Sequence, residues 1–153
     1  MAPPTKLPGP RTSAVLFARM DAIAAASGGL CTVFEDSGFT SQSRGQRLRY
    51  LRIASTGGGT RLAVLLTGGM HAREWAPPDA LLQLAEYLID AYMRRADLVL
   101  PLIRGSVFTP TPPPAPAPPL PPDTVDLPVR RISSNEVQRV LEQLDIFIAP
   151  IVN

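Results

Sequence analysis

The segment His71-Ala72-Arg73-Glu74, near the middle of the sequence, holds two side chains that can bind a metal ion, those of His71 and Glu74. The segment includes the only histidine of the 153-residue chain, and the only tryptophan follows directly. An imidazole nitrogen and a carboxylate oxygen three residues apart can converge on one ion, and both are good zinc ligands. The pair alone also fits a surface histidine beside an arginine–glutamate pair, so the neighbouring sequence has to decide between the two interpretations.

The sequence on either side of this segment indicates a place where ligands bind in many proteins. The apolar run Leu62–Leu66 has the length of a buried strand, and Gly68-Gly69 then allows a sharp turn. Pro77-Pro78 suits the first turn of a helix, and apolar residues at helical spacing extend that helix to about Arg95. In α/β proteins ligands gather where strands end and helices begin, which favours a metal site here.

The remaining pattern predicts an α/β fold with a mixed sheet. The predicted helices are 12–27, 76–95 and 133–144, the last beginning with a capping box formed by Ser133 and Glu136. The predicted strands are 30–35, 47–54, 61–66 and 145–152. A glycine-rich turn predicts that the second and third strands form a hairpin, and the last strand is apolar enough to be buried on both faces. This order of elements indicates a partial α/β/α sandwich.

Two proline-rich stretches fall outside this pattern. Residues 1–11 are predicted to be a disordered lead-in. Residues 99–130 are predicted to be a loop insertion, extended as polyproline II and free of helices and strand ladders. We favour a plain spacer, and the alternative is a docking motif, centred on Pro118–Pro122, for an adaptor domain with an aromatic groove.

Composition excludes several classes of protein. A net charge of +2 argues against a nucleic-acid or membrane surface, and the arginines at 44, 47, 49 and 52 are interpreted as a solvated strand face. The single cysteine, Cys31, excludes an internal disulfide and a cysteine-based zinc cluster, and its apolar neighbours predict that it is buried. No apolar span is long enough to cross a membrane, and no export signal is visible, so the sequence assigns no location.

Gly69–Trp75 resembles the first zinc-binding motif of the zinc metallocarboxypeptidases of the carboxypeptidase A/B type. The strand at Leu144–Asn153 is similar to one that the family continues as Asn-Pro-Asp-Gly. Residues 43–46, Ser-Arg-Gly-Gln, stand where members often carry a Glu-Gly-Arg turn, so that turn departs from the family pattern. The resemblance covers most of residues 12–153, apart from the proline-rich insertion.

The resemblance implies a hydrolase that removes C-terminal residues from peptides or proteins. It implies that His71 and Glu74 are two of three protein ligands of one Zn²⁺ ion, and that Arg73 contacts the substrate. In the family the third ligand is a histidine, and this chain has no second one. The general base is also expected beyond Asn153, so no catalytic residue is predicted within the chain. We therefore expect residues 12–153 to be an incomplete catalytic domain, cut short and inactive alone, with an apolar sheet edge prone to association.

Two other functions remain open from the sequence. The first is a zinc amidohydrolase of the related deacylase type, which acts on small acylated amino acids. The second is a non-catalytic protein that has lost its active site and docks through the proline-rich tract.

Overall fold

The computed structural model describes residues 12–40, 45–55, 60–70, 76–100, 104–106, 124–126 and 130–152. The predicted lead-in, residues 1–11, and the run Pro110–Pro122 lie outside the described residues. The elements in chain order are α1 (Ser13–Ala26), β1 (Cys31–Thr40), β2 (Arg47–Ile53), β3 (Leu62–Thr67), α2 (Ala76–Arg94), β4 (Leu98–Leu100), β5 (Arg104–Ser106), β6 (Thr124–Asp126), β7 (Arg130–Ile132), α3 (Ser134–Gln143) and β8 (Leu144–Ala149).

The main sheet has the strand order β1-β2-β8-β3 and is mixed, as predicted. β2 pairs antiparallel with both β1 and β8, whereas β3 pairs parallel with β8. The prediction that β2 and β3 form a hairpin is wrong, because β8 lies between them. In this position both edges of β8 are hydrogen-bonded, and Ile146, Ile148 and Ala149 are buried.

The core lies between the three helices and one face of the sheet. β2 and β8 place Leu51, Ile53, Ile146 and Ile148 on this face, and each is at most 6% exposed. The fully buried side chains of Met20 (α1), Leu82 (α2) and Leu141 (α3) join the same cluster. Because strand side chains alternate between faces, the residues between these four point to the opposite side of the sheet.

That opposite face, which we call the open face, carries a row of apolar side chains across all four strands. Phe34 stacks on Tyr50 with ring centroids 5.5 Å apart, and Tyr50 lies 6.0 Å from Phe147. Leu65, the register partner of Phe147 on β3, is 63% exposed. β8 is therefore buried on its helix side and half-buried on the open face, rather than buried on both faces.

β3 was predicted to be a buried strand, and this prediction is wrong. Leu62 is 77% exposed, and every β3 residue except Leu66 is exposed. The reason is its place in the sheet, since among the described strands β3 pairs with β8 alone. An apolar run of this length does not reveal whether the strand lies inside the sheet or at its edge.

The helix starts follow the local sequence signals. Thr12 caps α1, its hydroxyl accepting a hydrogen bond from the Val15 amide at 3.4 Å. The predicted capping box of α3 is confirmed, because the Glu136 carboxylate accepts from the Ser133 amide at 2.9 Å and Ser133 Oγ accepts from the Glu136 amide. No helix within the described residues is long and apolar enough to cross a membrane.

The proline-rich insertion is flanked by two short antiparallel pairs, β4 with β7 and β5 with β6. The prediction that residues 99–130 form no strand ladder is therefore wrong at these positions, which lie outside the run Pro110–Pro122. Asp97 fixes the base of the insertion, because its carboxylate accepts a hydrogen bond from the Ser134 amide at 3.0 Å and lies 3.5 Å from the Arg131 guanidinium.

Candidate functional site

Two glycines at the end of β3 determine how the chain approaches the candidate metal-binding segment. The Gly68 amide donates to the Ala149 carbonyl at 3.0 Å, so the chain is still hydrogen-bonded to the end of β8 there. Gly69 has a φ of +57°, in the left-handed region that residues with a Cβ rarely adopt. The sharp turn predicted from the sequence thus begins at Gly69.

Both glycines are also required by close packing. A Cβ on Gly68 would lie 2.9 Å from Leu81 Cδ1, and one on Gly69 would lie 2.9 Å from the Pro150 carbonyl oxygen and 3.3 Å from Pro78 Cγ. The turn is therefore wedged between the first turns of α2 and the residue that follows β8. We call this meeting point of β3, β8 and α2 the glycine junction.

The candidate ligands His71 and Glu74, and the candidate substrate contact Arg73, lie outside the described residues. The structure describes the residue on either side of the segment, Met70 after β3 and Ala76 at the start of α2. The predicted position between a strand end and a helix start is thus confirmed for its flanks. The roles of the three side chains stay predictions.

The position of α2 relative to α1 is fixed by Arg19. Its guanidinium contacts both carboxylate oxygens of Glu86 at 2.8 Å, in a bidentate pair that is largely shielded from solvent. The same group reaches Gln83 Oε1 at 3.3 Å and Asp79 Oδ1 at 3.5 Å. Because Asp79 belongs to the first turn of α2, this network fixes the end of the helix that enters the glycine junction.

The position of β8 is fixed by Arg61, whose side chain is only 8% exposed. It donates to the carbonyls of Ser55 and Leu144, both at 2.8 Å, and to that of Leu141. Its Nε lies 2.9 Å from Asp145 Oδ1, close enough for an ion pair, although the N–H direction misses hydrogen-bond geometry. This arrangement ties the start of β3 to the end of α3 and the start of β8. Sequence reasoning missed this arrangement, because Arg61 and Asp145 are far apart along the chain.

The arginines interpreted as a solvated strand face are paired with acids. Arg47 lies 3.2 Å from Glu35, Arg49 lies 2.6 Å from Asp21, and Arg52 lies 2.7 Å from Asp145. Arg49 also lies over the Phe17 ring, 5.1 Å from its centroid. Because each of these three guanidinium groups is paired with a carboxylate, the arginines do not form an anion-binding patch. Arg44 lies outside the described residues.

Within the described residues, no group of three or more His, Cys, Asp or Glu side chains could hold a metal ion. Cys31 is buried as predicted, and burial raises the pKa of its thiol to about 11. A thiol with that pKa is protonated near neutral pH and is a poor metal ligand. In the sequence, the segment that follows Gly69 offers two donor types that zinc prefers, the imidazole of His71 and the carboxylate of Glu74.

A hollow of about 300 Å³ lies at the other end of α2, lined in part by Gly28, Tyr92, Arg95 and Gln138. The 19 residues of α2 span about 27 Å at 1.5 Å per residue. The hollow is therefore remote from the glycine junction and does not belong to the candidate metal site.

Comparison with known proteins supports the fold. A solved structure, "Crystal structure of thrombin activatable fibrinolysis inhibitor (TAFI)", aligns with 95% of this chain at a TM-score of 0.55 and 11% sequence identity. At that identity the likeness shows the fold alone, and it confirms the predicted α/β class. The chain spans 28% of the length of that protein.

No curated protein matches the sequence. The family model described as zinc carboxypeptidase matches residues 17–104, which include Gly68, Gly69 and the segment His71–Trp75. Because this match covers more than half of the 153 residues, the chain belongs to the zinc carboxypeptidase family.

Proposed function

We propose that this chain supplies two zinc ligands and a substrate contact to the active site of a metallocarboxypeptidase, which removes C-terminal residues from peptides or proteins. The observation that carries the proposal is the position of the His-x-x-Glu segment, which follows the glycine junction within the residues that match the family. In this proposal His71 binds the ion through an imidazole nitrogen and Glu74 through its carboxylate. Arg73 holds the peptide.

The zinc ion, when bound, acidifies a water molecule and polarises the scissile carbonyl. A catalytic zinc normally takes three protein ligands, and the 153 residues contain one histidine. The third ligand that the family resemblance implies is a histidine, so it has to come from outside this sequence. Two ligands alone bind zinc weakly. We therefore expect the chain by itself to bind zinc without releasing C-terminal residues from peptides.

We also propose that residues 12–153 belong to one domain, with residues 99–130 inserted as a loop. Two observations support this. The strand after the insertion, β8, pairs with both β2 and β3 from before it. The pairs β4–β7 and β5–β6 bring the two ends of the insertion side by side. Among the described residues, the main sheet therefore contains no strand from residues 99–130.

A zinc titration tests the assigned ligands directly. Because His71 is the only histidine, its imidazole signals in a ¹⁵N-edited NMR spectrum need no further assignment. We expect Zn²⁺ to shift these signals, and we expect Glu74→Gln to raise the zinc Kd about tenfold, which corresponds to about 1.4 kcal/mol.

Glu142→Gln is the matched control, since Glu142 is an exposed glutamate on α3. Its zinc Kd should equal that of the wild type. An imidazole that zinc leaves unshifted, or equal zinc affinity in Glu74→Gln and the wild type, would contradict the proposed ligands.

A further inference from the structure

All three guanidinium nitrogens of Arg19, on α1, are engaged with side chains of α2. Nε and one terminal nitrogen each lie 2.8 Å from a carboxylate oxygen of Glu86, and that terminal nitrogen also lies 3.3 Å from Gln83 Oε1. The other terminal nitrogen lies 3.5 Å from Asp79 Oδ1. The Arg19 side chain is only 18% exposed, so water competes little for these charge-assisted contacts. Arg19 therefore holds α2 from the side of α1.

The three partners lie on one face of α2, near its start. Asp79, Gln83 and Glu86 follow one another at intervals of four and three residues, the spacing that places side chains on the same face of a helix. They cover about 10 Å of the helix axis at 1.5 Å per residue, and helical side chains lean toward the N-terminus, so one guanidinium can reach all three. A slide of α2 by one residue, about 1.5 Å, would break both 2.8 Å contacts with Glu86. Arg19 thus fixes where α2 lies along its axis.

The opposite side of α2 packs on the glycine junction. Leu81 Cδ1 is so close to Gly68 that a Cβ there would lie 2.9 Å from it. Leu81 lies about 160° around the helix from Asp79, because successive residues are rotated by about 100°. The start of α2 is therefore held from two sides, by Arg19 on α1 and by the end of β3.

This arrangement affects the two assigned zinc ligands, because each is joined to a different element. His71 follows Gly69, at the end of β3, by two residues, and Glu74 precedes Ala76, the first residue of α2, by two. Two residues span at most about 7 Å, so the separation of the two ligands depends on where the start of α2 lies relative to β3. On the basis of the function proposed above, we infer that Arg19 is a positioning residue that holds Glu74 where it can bind the same zinc ion as His71.

A Zn²⁺ titration of the chain, followed through the His71 imidazole signals, tests this role at the assigned site alone. Arg19→Met should raise the zinc Kd about three- to tenfold, the upper limit being the effect expected for loss of the Glu74 carboxylate itself. Glu86→Gln, which keeps the size of the side chain and removes its charge, should also raise the zinc Kd.

The direction of the two changes separates positioning from long-range charge. Arg19→Met removes a positive charge and Glu86→Gln a negative one, so charge alone would strengthen cation binding in the first variant and weaken it in the second. Loss of position weakens binding in both. Arg94→Met is the matched control, since Arg94 pairs with another carboxylate of α2, Asp90, at 2.8 Å, but in the last turn of the helix. Its zinc Kd should equal that of the wild type.

A double-mutant cycle tests whether Arg19 acts through Glu74. In a Glu74→Gln background, Arg19→Met should leave the zinc Kd nearly unchanged, because the ligand that Arg19 positions is already lost. A general loss of stability would raise the Kd by the same factor in both backgrounds. Far-UV circular dichroism checks that each variant is folded, and Glu86→Gln carries the test if Arg19→Met does not fold.

Three results would overturn the role of Arg19. The first is an Arg19→Met or Glu86→Gln variant that binds zinc as tightly as the wild type or more tightly. The second is an effect of Arg19→Met that is equally large with and without the Glu74 carboxylate. The third is an equal rise of the zinc Kd in Arg94→Met. Equal zinc affinity in Glu74→Gln and the wild type would instead contradict the assigned ligands, and the role of Arg19 with them, so a failure of the proposed function is recognised separately.

Discussion

The glycine junction predicts a difference between two glycine-to-alanine substitutions that share a backbone conformation. Gly69 has a φ of +57° and Gly45 a φ of +63°. An added Cβ would lie 2.9 Å from the Pro150 carbonyl oxygen at Gly69, whereas at Gly45 no atom lies within 4 Å. The left-handed conformation costs a residue with a Cβ about 1–2 kcal/mol. Alanine recovers about 0.4–1 kcal/mol of that by restricting the unfolded chain.

Gly45→Ala should therefore lower the free energy of unfolding by about 0–1.6 kcal/mol. Gly69→Ala carries the same conformational cost and adds an overpacking cost of about 1–3 kcal/mol, because the backbone of Pro150 and Ile151 has to move. Urea unfolding followed by circular dichroism measures both changes. The zinc-induced shift of the His71 imidazole should also decrease in Gly69→Ala only. Equal losses of stability in the two variants would refute the argument that the junction is closely packed.

Two further predictions concern interactions away from the junction. Arg61→Met should lower the free energy of unfolding by about 1–3 kcal/mol, because it leaves the carbonyls of Ser55 and Leu144 without this buried donor. Asp145 keeps its pair with Arg52. Arg47→Met, at an exposed pair, should change the free energy of unfolding by less than about 1 kcal/mol. Comparable losses in urea unfolding would show that the contacts of Arg61 contribute little. The hydrogen bond donated by the Ser133 hydroxyl, followed by that from its amide, lowers the pKa of Glu136. The folded pKa is thus below the unfolded one, so this stabilisation is present above about pH 5 and is lost as the pH falls through the lowered value. Thermal unfolding of the wild type and Glu136→Gln should therefore differ at pH 7 and converge in acid, and a difference independent of pH would contradict the assignment.

Local signals were sufficient to predict the helices and the capping box of α3. Thr12 and Ser133 cap α1 and α3 because each places a hydroxyl next to free backbone amides. This contact depends only on residues within one helical turn. The positive φ of Gly69 follows in the same way from a glycine placed directly after a strand. At the candidate site, the position between strand and helix was predictable, because it depends only on the elements that adjoin the segment.

The order of the strands was not predictable, because it depends on contacts between distant residues. Arg52 binds Asp145 across 93 positions of sequence, and β8 lies between two strands that a glycine-rich turn suggested were paired. The wrong prediction that β3 is buried has the same origin. Leu62 and Leu65 were assigned to the interior from their apolar character, but the exposure of a strand depends on its neighbours in the sheet.

The arrangement of α2 explains how the chain combines a closely packed site region with a long proline-rich insertion. One end of the helix packs on Gly68 through Leu81, and Arg19 binds its first turns to α1. The insertion begins beyond the other end, about 27 Å away, and its base is closed by Asp97 and the β4–β7 pair. Buried apolar residues, including Leu82 and Leu88, hold the intervening turns against the sheet. Changes in the length or composition of the insertion therefore act on the end of α2 that does not contact the junction, so the two regions can vary independently.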